Sequence, residues 1–174
     1  MANVLSKYGF VLYRNTADES TPLETVWTTS NLTFKVGDPV RLSTTGLAVK
    51  PTAVSTKAGY IYGFAVEPIT AKAGTSYPMK IIPALGHLIF KACSGSTLNV
   101  TKGYVGRYAG IWASGTVAYA GNPGANTLSQ LQIVGIAGGY GPAGAGGAVG
   151  GSAFSTYAEL LYIVHHSQYT GQIT

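Results

Sequence analysis

The chain has 174 residues, of which 46% are hydrophobic and only 10% charged, and its formal net charge is +5. This length fits one domain with a core of its own, and the basic residues are dispersed singly, which argues against a nucleic-acid partner. The single cysteine, Cys93, excludes an intrachain disulfide and a zinc framework. No uninterrupted apolar run approaches the roughly 20 residues of a membrane helix, so no membrane partner is expected.

The first 31 residues differ from the rest of the chain. They hold three of the six acidic residues, and NTADESTPLETVWTTSN lacks the strand spacing seen later. A segment with few internal partners docks on something else, so residues 1–31 are predicted to form an extended arm that reaches a neighbouring copy or a larger scaffold. We expect the remaining domain to fold without residues 2–20. The predicted contacts with that scaffold or with a second copy are Tyr8, Phe10, Tyr13, Arg14 and Trp27.

The start of the chain, MANVLSKYGFVLYRN, has basic residues where a secretory signal has its apolar core. Synthesis in the cytoplasm without export is therefore expected.

From Leu32 onward the sequence has the rhythm of a β protein. Short segments rich in Val, Ile, Tyr and Thr are broken by Gly, Pro, Asn or Ser about every eight to twelve residues. Helical periodicity is nearly absent. The pattern predicts an all-β fold, a small barrel or sandwich, with residues 32–174 forming a single β-domain.

Two stretches of this domain are alike in order and spacing. The first contains LTFKVGDPVRLSTTGLAVK, GYIYGFAVEPI and YPMKIIPAL; the second contains LNVTKGYVGRYAGIWASGTVAYAG, LQIVGIAGG and TYAELLYIV. In each, a strand pair with a Gly turn leads to a Gly-Phe-Ala or Gly-Ile-Ala strand, and a loop of small residues precedes the last strand. The repetition predicts two similar halves, about residues 32–93 and 98–166.

The run GGYGPAGAGGAVGG, residues 138–151, contains the spacing G-x-G-x-x-G of a dinucleotide-binding loop. Four further glycines would fall in the first turns of the required helix, at about 1 kcal/mol each relative to Ala. Too few residues follow for a doubly wound sheet. The run also occupies the position of TAKAGTS in the first half, so we interpret it as a glycine-rich loop between two strands.

Residues that could carry chemistry are few. His165 and His166 are neighbours on a predicted strand, so their side chains point to opposite faces and cannot easily share a metal. Glu67 and Glu159 could meet in space, although solvated positions fit them as well. No G-x-S-x-G elbow occurs. We therefore expect no enzyme activity, no metal and no cofactor. An alternative from another functional class is a carbohydrate-binding barrel that uses Trp112, Tyr104 and Tyr108.

The sequence GDPVRLSTTGLAV, followed by GYIYGFAVEPITAKAGTSYPMKIIPALGHLIFKA, resembles the capsid decoration or cement proteins and related head-fibre proteins of tailed phages. Their shared pattern is a Gly-Asp-Pro-Val opening, a Gly turn, a Gly-φ-Ala strand, a loop of small residues and a φ-x-φ strand, where φ is an apolar residue. The resemblance covers Leu32 to His166, and GIAGG with TYAELLYIV repeats it.

This resemblance implies a protein without catalytic activity that binds the outside of an assembled icosahedral shell and stabilises it against internal DNA pressure. It implies the major capsid protein as partner, self-association as a homotrimer, and a place on the exterior of a virion after synthesis in the host cytoplasm. A phage tail or fibre component is the alternative within structural proteins.

Overall fold

A computed structural model of the chain describes residues 9–17, 20–28, 31–51, 60–72, 74–93, 102–114, 117–120, 129–138, 159–165 and 167–168. The all-β prediction is confirmed, since the described part contains strands and one short 3-10 turn at Lys102–Tyr104. The strands are β1 (Val11–Asn15), β2 (Glu24–Thr28), β3 (Thr33–Phe34), β4 (Pro39–Leu42), β5 (Ala48–Val49), β6 (Gly63–Ala65), β7 (Ile69–Thr70), β8 (Tyr77–Pro83), β9 (Leu88–Cys93), β10 (Tyr108–Ala109), β11 (Ile111–Ser114), β12 (Val117–Ala120), β13 (Leu131–Gly138) and β14 (Glu159–Val164).

The first part of the chain forms a closed barrel of five strands in the order β2-β5-β4-β6-β8. All neighbours are antiparallel except β2 and β5, which close the barrel through a parallel bridge between Thr28 and Ala48. Alternating residues of β8, YPMKIIP, are buried in this barrel, as expected for strands with one face inside. The small strands β3 and β7 pair with each other outside the barrel sheet.

The second part forms a five-stranded antiparallel sheet in the order β1-β9-β14-β13-β10. Strand β11 continues β10 after one residue and forms a hairpin with β12. Some Cα atoms of β12 lie within 8 Å of β9, so the hairpin returns to the side of the sheet where β9 runs. The strands from β9 to β14 therefore follow the same path as the strands from β2 to β8.

Main-chain hydrogen bonds show that these two units are structural repeats. In the first, the Gly37 amide donates to Ala65 O at 2.7 Å, and the Ala65 amide donates to Asp38 O at 2.9 Å. In the second, the Gly106 amide donates to Ile133 O at 2.8 Å, and the Ile133 amide donates to Arg107 O at 2.8 Å. Both glycines have a positive φ, 81° and 90°.

The interiors of the two units correspond residue by residue. The strand registers make β2 equivalent to β9, β6 to β13 and β8 to β14. Five buried positions of the first core have buried counterparts in the second, namely Val26 and Ala92, Val40 and Ala109, Ala65 and Ile133, Met79 and Leu160, and Ile81 and Tyr162. The predicted internal similarity is thus a repeated hydrogen-bond framework with a repeated core pattern.

The boundaries of the repeat differ from those predicted. The predicted first half, about residues 32–93, includes β9, but β9 pairs with β14 and belongs to the second unit. The predicted equivalence of the two Gly-x-Ala motifs is also shifted, because Gly63 pairs with Pro83 whereas Leu131 pairs with Val164 in the same position. Gly135 instead adjoins a register shift in β13. The boundaries of the repeat and the equivalent residues depend on strand order, which the local sequence pattern does not specify.

The prediction of an extended arm over residues 1–31 is wrong for two segments. Strand β1 pairs with β9, and β2 is the first strand of the barrel. Phe10 lies buried, and its amide donates to Gly37 O at 2.9 Å. These residues look like an arm in sequence because their hydrogen-bond partners lie far along the chain. The domain boundary predicted after residue 31 therefore cuts through both units.

Aromatic rings join the two units. Phe64 lies on the outer face of the first barrel, and its ring centroid is 4.7 Å from that of Phe10 and 4.4 Å from that of Phe90 in β9. Phe10 also meets Tyr162 edge to face at 6.3 Å. Such pairs contribute roughly 0.5–1.5 kcal/mol each beyond the apolar area they bury. The interface is therefore a continuation of the second core rather than a hinge.

The residues after β14 return to the first unit. Ser167 is buried and bridges to Ile61, and the Gln168 amide donates to Ile61 O at 3.0 Å. The Gln168 side chain accepts from the Leu42 amide at 2.8 Å and donates to Leu42 O at 3.2 Å. These contacts fasten the far end of the described chain to β4.

The glycine-rich run, residues 138–151, begins at the last residue of β13, and residues 139–158 lie outside the described part. The next described strand, β14, is antiparallel to β13. A dinucleotide-binding loop joins parallel strands through a helix, so the observed pairing excludes that arrangement.

We predict that Phe10→Ala lowers the free energy of unfolding by about 3–5 kcal/mol, because it leaves a cavity beside the rings of Phe64 and Tyr162. Tyr13→Ala, three residues further on in β1 and with 55% of its surface exposed, should change it by less than about 0.5 kcal/mol. Chemical denaturation of both variants measures this. If both substitutions changed the free energy of unfolding equally little, residues 9–15 would be a dispensable arm after all.

Gly63 is required by a close approach within the barrel. A Cβ on this residue would lie 2.5 Å from Ile82 O and 2.9 Å from Ile81 Cδ1. We predict that Gly63→Ala destabilises the protein by about 1–3 kcal/mol, because backbone must move. Gly86→Ala is the matched control, since nothing lies within 4 Å of its Cβ position. The same melting temperature for both variants would contradict the described β6–β8 packing.

Candidate interaction surface

The five predicted contact residues separate into two groups. Phe10 is part of the core, so its prediction as a surface contact is wrong for the folded chain. Tyr8 lies outside the described residues. Tyr13, Arg14 and Trp27 are exposed, and they lie on two different strands, β1 and β2. Tyr13 and Arg14 lie on the outermost strand of the five-stranded sheet, and Trp27 lies on the outer face of the closed barrel.

Strand β1 is the last strand on its side of the five-stranded sheet. Leu12 packs against the second core, whereas Val11, Tyr13 and Arg14 are exposed. A register shift between Leu12 and Arg14 accommodates the extra residue Tyr13 and keeps Leu12 inward. The outer side of β1 therefore combines a strand edge with two apolar side chains and one cation.

Strand β2 alternates in the way its sequence, ETVWT, predicts. Val26 and Thr28 are buried in the barrel, while Thr25 and Trp27 face outward and Trp27 has 52% of its surface exposed. Leu23, just before the strand, is exposed to 56%. Together with Pro78 and Lys80 of β8, which are exposed opposite Trp27 and Thr25, these residues form an outward face of mixed apolar and cationic character.

A second feature of the surface is repeated. Each unit begins its central strands with a tight Val-Gly turn, and the valine at its tip is exposed, Val36 to 54% and Val105 to 45%. Sequence reasoning missed these residues. The signal was present, because KVGD and YVGR stand at matching distances before β4 and β10.

The two Val-Gly turns are braced differently. In the first, Asp38 is buried, accepts from the Lys35 amide at 2.9 Å and forms an ion pair with Lys50 at 3.0 Å. In the second, the Arg107 guanidinium lies over the Tyr104 ring at 5.0 Å. Each valine is therefore presented on a turn with fixed geometry rather than on a loose loop.

Glu67 and Glu159 each have a partner of their own. Glu67 accepts from the Lys80 amide at 3.0 Å, and Glu159 pairs with Lys91 at 3.4 Å, so each carboxylate is engaged within its own unit. Within the described ranges, no group of three or more His, Cys, Asp or Glu residues could hold a metal. In the same part of the chain, no helix is long and apolar enough to cross a membrane.

The rings proposed for carbohydrate stacking are partly occupied. Tyr108 packs against His165 with 4.9 Å between ring centroids, and Tyr104 is covered by Arg107. The Trp112 side chain lies outside the described part. His165, the residue that follows β14, is half-buried. His166 lies outside the described residues.

Comparisons of the chain with protein-family models, with curated proteins and with solved structures find no match in any of the three.

Proposed function

We propose that this chain is a structural protein that binds the outer surface of an assembled phage capsid and stabilises it. The observation that carries the proposal is the duplication of one small β unit, with an exposed valine turn in each copy. A capsid offers many copies of the same surface at regular spacing. A protein that carries one contact element twice is suited to such a lattice.

The residues that carry the resemblance to decoration proteins have clear roles in the fold. Gly37 takes the left-handed φ of the turn, Asp38 caps it, and Pro39 and Val40 begin the strand inside the barrel. The Gly-Asp-Pro-Val pattern thus specifies the turn and the start of the strand that enters the barrel. This supports a shared architecture, and the capsid partner follows from the resemblance as a proposal.

Multivalent contact supplies the mechanism. Two modest contacts on one rigid body act together, because the first raises the effective concentration of the second. Linked contacts of this kind exceed either single affinity by about 10²–10⁴. Bridging two capsid subunits in this way stabilises their boundary against outward pressure, and a homotrimer of the chain multiplies the effect on the virion exterior.

The paired turns give a direct test with heads assembled from the major capsid protein of the same phage genome. Val36→Glu and Val105→Glu should each weaken co-sedimentation with the heads, and the double variant should lose at least about 10² in apparent affinity. Val134→Glu, an exposed valine outside the turns, is the control that keeps binding.

Wild-type protein that stays in the supernatant, or that binds tails instead of heads, would overturn the capsid proposal. Retained binding by the double variant would leave the capsid as partner but exclude the Val-Gly turns as the contact. Circular dichroism of each variant confirms that the fold is intact.

A further inference from the structure

We infer that the two Val-Gly turns bind apolar pockets bordered by Asp or Glu carboxylates on the partner surface. This rests on the proposed function, in which the same turns contact the head, and it specifies the charge of the surface that receives them. The turns run from Lys35 to Asp38 and from Tyr104 to Arg107. Each of them carries a cation together with its exposed valine.

The two turns have the same backbone. The Asp38 amide donates to Lys35 O and the Arg107 amide donates to Tyr104 O, both at 3.0 Å, so each turn is closed between its first and fourth residues. The third residue is the glycine with positive φ, as a type II turn requires. In both turns the valine is therefore the second residue and stands at the tip.

The cations occupy opposite corners of the two turns. Lys35 is the first residue of its turn, whereas Arg107 is the fourth residue of the other, and both are exposed. The first and fourth Cα atoms of a β-turn lie within about 7 Å of each other. Each turn therefore offers an apolar tip with one cation at its base, although the cation comes from a different position in the sequence.

The acid of the first turn does not offset its cation. Asp38, the fourth residue, is buried and forms an ion pair with Lys50 at 3.0 Å. That pair is neutral, so the exposed Lys35 leaves the turn with one positive charge. The carboxylate of Glu67 lies outside the turn and accepts from the Lys80 amide at 3.0 Å. Among the residues of the two turns, all of which the structure describes, no carboxylate is exposed.

The second turn reaches the same charge without an acid. Tyr104 is its first residue, and the Arg107 guanidinium lies over the Tyr104 ring at 5.0 Å. Contact with an aromatic face attracts a guanidinium without neutralising it. Both turns therefore present one valine and one cation that lacks a compensating carboxylate within the turn.

An apolar tip with a cation at its base matches an apolar pocket that has carboxylates at its rim. Burial of the valine is favourable in itself, while complementary charge speeds the encounter and suppresses wrong partners. An anionic bilayer also attracts cations, but its hold on a protein scales with the apolar area that is buried. One valine in each turn offers little such area, so the turns fit a protein surface.

The test is co-sedimentation with heads assembled from the major capsid protein, at about 0.1 M and about 1 M NaCl. The Debye length falls from about 10 Å to about 3 Å between these concentrations, so wild type should bind at least about threefold more weakly at the higher one. The double variant Lys35→Gln, Arg107→Gln should bind equally at both. Heads whose carboxylates have been converted to amides should bind wild type no better than unmodified heads bind this double variant.

Charge reversal at the first turn is the sharper test, because the hydrogen bonds of Lys35 within the turn are made by its main chain. Lys35→Glu should weaken binding at about 0.1 M NaCl by at least about tenfold, since it opposes like charges, and Lys35→Arg should preserve it. Lys72→Glu makes the same change at an exposed lysine outside the turns, and it should bind as wild type does. Circular dichroism confirms the fold of each variant.

The outcomes separate this inference from the proposed function. Wild type that does not sediment with heads contradicts both. Binding that is unchanged by salt, by Lys35→Glu and by conversion of the carboxylates leaves the capsid as partner but overturns the inference. Flotation with phosphatidylglycerol vesicles tests the other anionic surface. Wild type should not float with them, and flotation that Lys35→Glu abolishes would assign the cations to a bilayer instead.

Discussion

The contact of Phe64 with Phe10 and Phe90 is the interaction on which the arrangement of this protein depends. Phe64 stands on the outside of the first barrel because its neighbours Gly63 and Ala65 fill the inside. Without a partner it would be an exposed aromatic residue, and the first unit would end there. Its stacking makes the outer wall of the barrel part of the core of the second unit.

The same position shows that the two units are not interchangeable. The counterpart of Phe64 in the second unit is Gln132, which is half-exposed and donates weakly to Gly106 O at 3.5 Å. One unit therefore offers an apolar wall where the other offers a polar one. The outer wall of the first unit packs on the second unit, but the second unit has no such wall. The two copies of the framework therefore have different roles. The first provides the wall, and the second provides the larger core that receives it.

Much of the fold could be predicted from the sequence because short-range patterns govern it. Alternation in ETVWT and YPMKIIP, glycine turns and the spacing of two similar stretches all predict β strands in a repeated unit. Which strand pairs with which could not be predicted, because the local sequence of β9 suits pairing in either unit. The buried role of Phe10 was missed for the same reason, because Gly37, Phe64 and Tyr162 contact it from distant parts of the chain. Of the candidate surface, the exposure of Tyr13, Arg14 and Trp27 was predictable from composition, but their placement on an edge strand and on the outside of a closed barrel required the topology.

The hydrogen bonds from Gln168 to Leu42 have a consequence for biosynthesis. These residues are 126 positions apart, so β4 lacks this partner until Gln168 has left the ribosome. Strand β1 likewise lacks its pairing partner until β9, more than seventy residues later, has been synthesised. The barrel strands are made first, but the contacts that cover their outside are completed last. During synthesis the main chain of Leu42 and the apolar wall at Phe64 stay uncovered, so the interval before the second unit emerges is the period in which this chain is most exposed to aggregation.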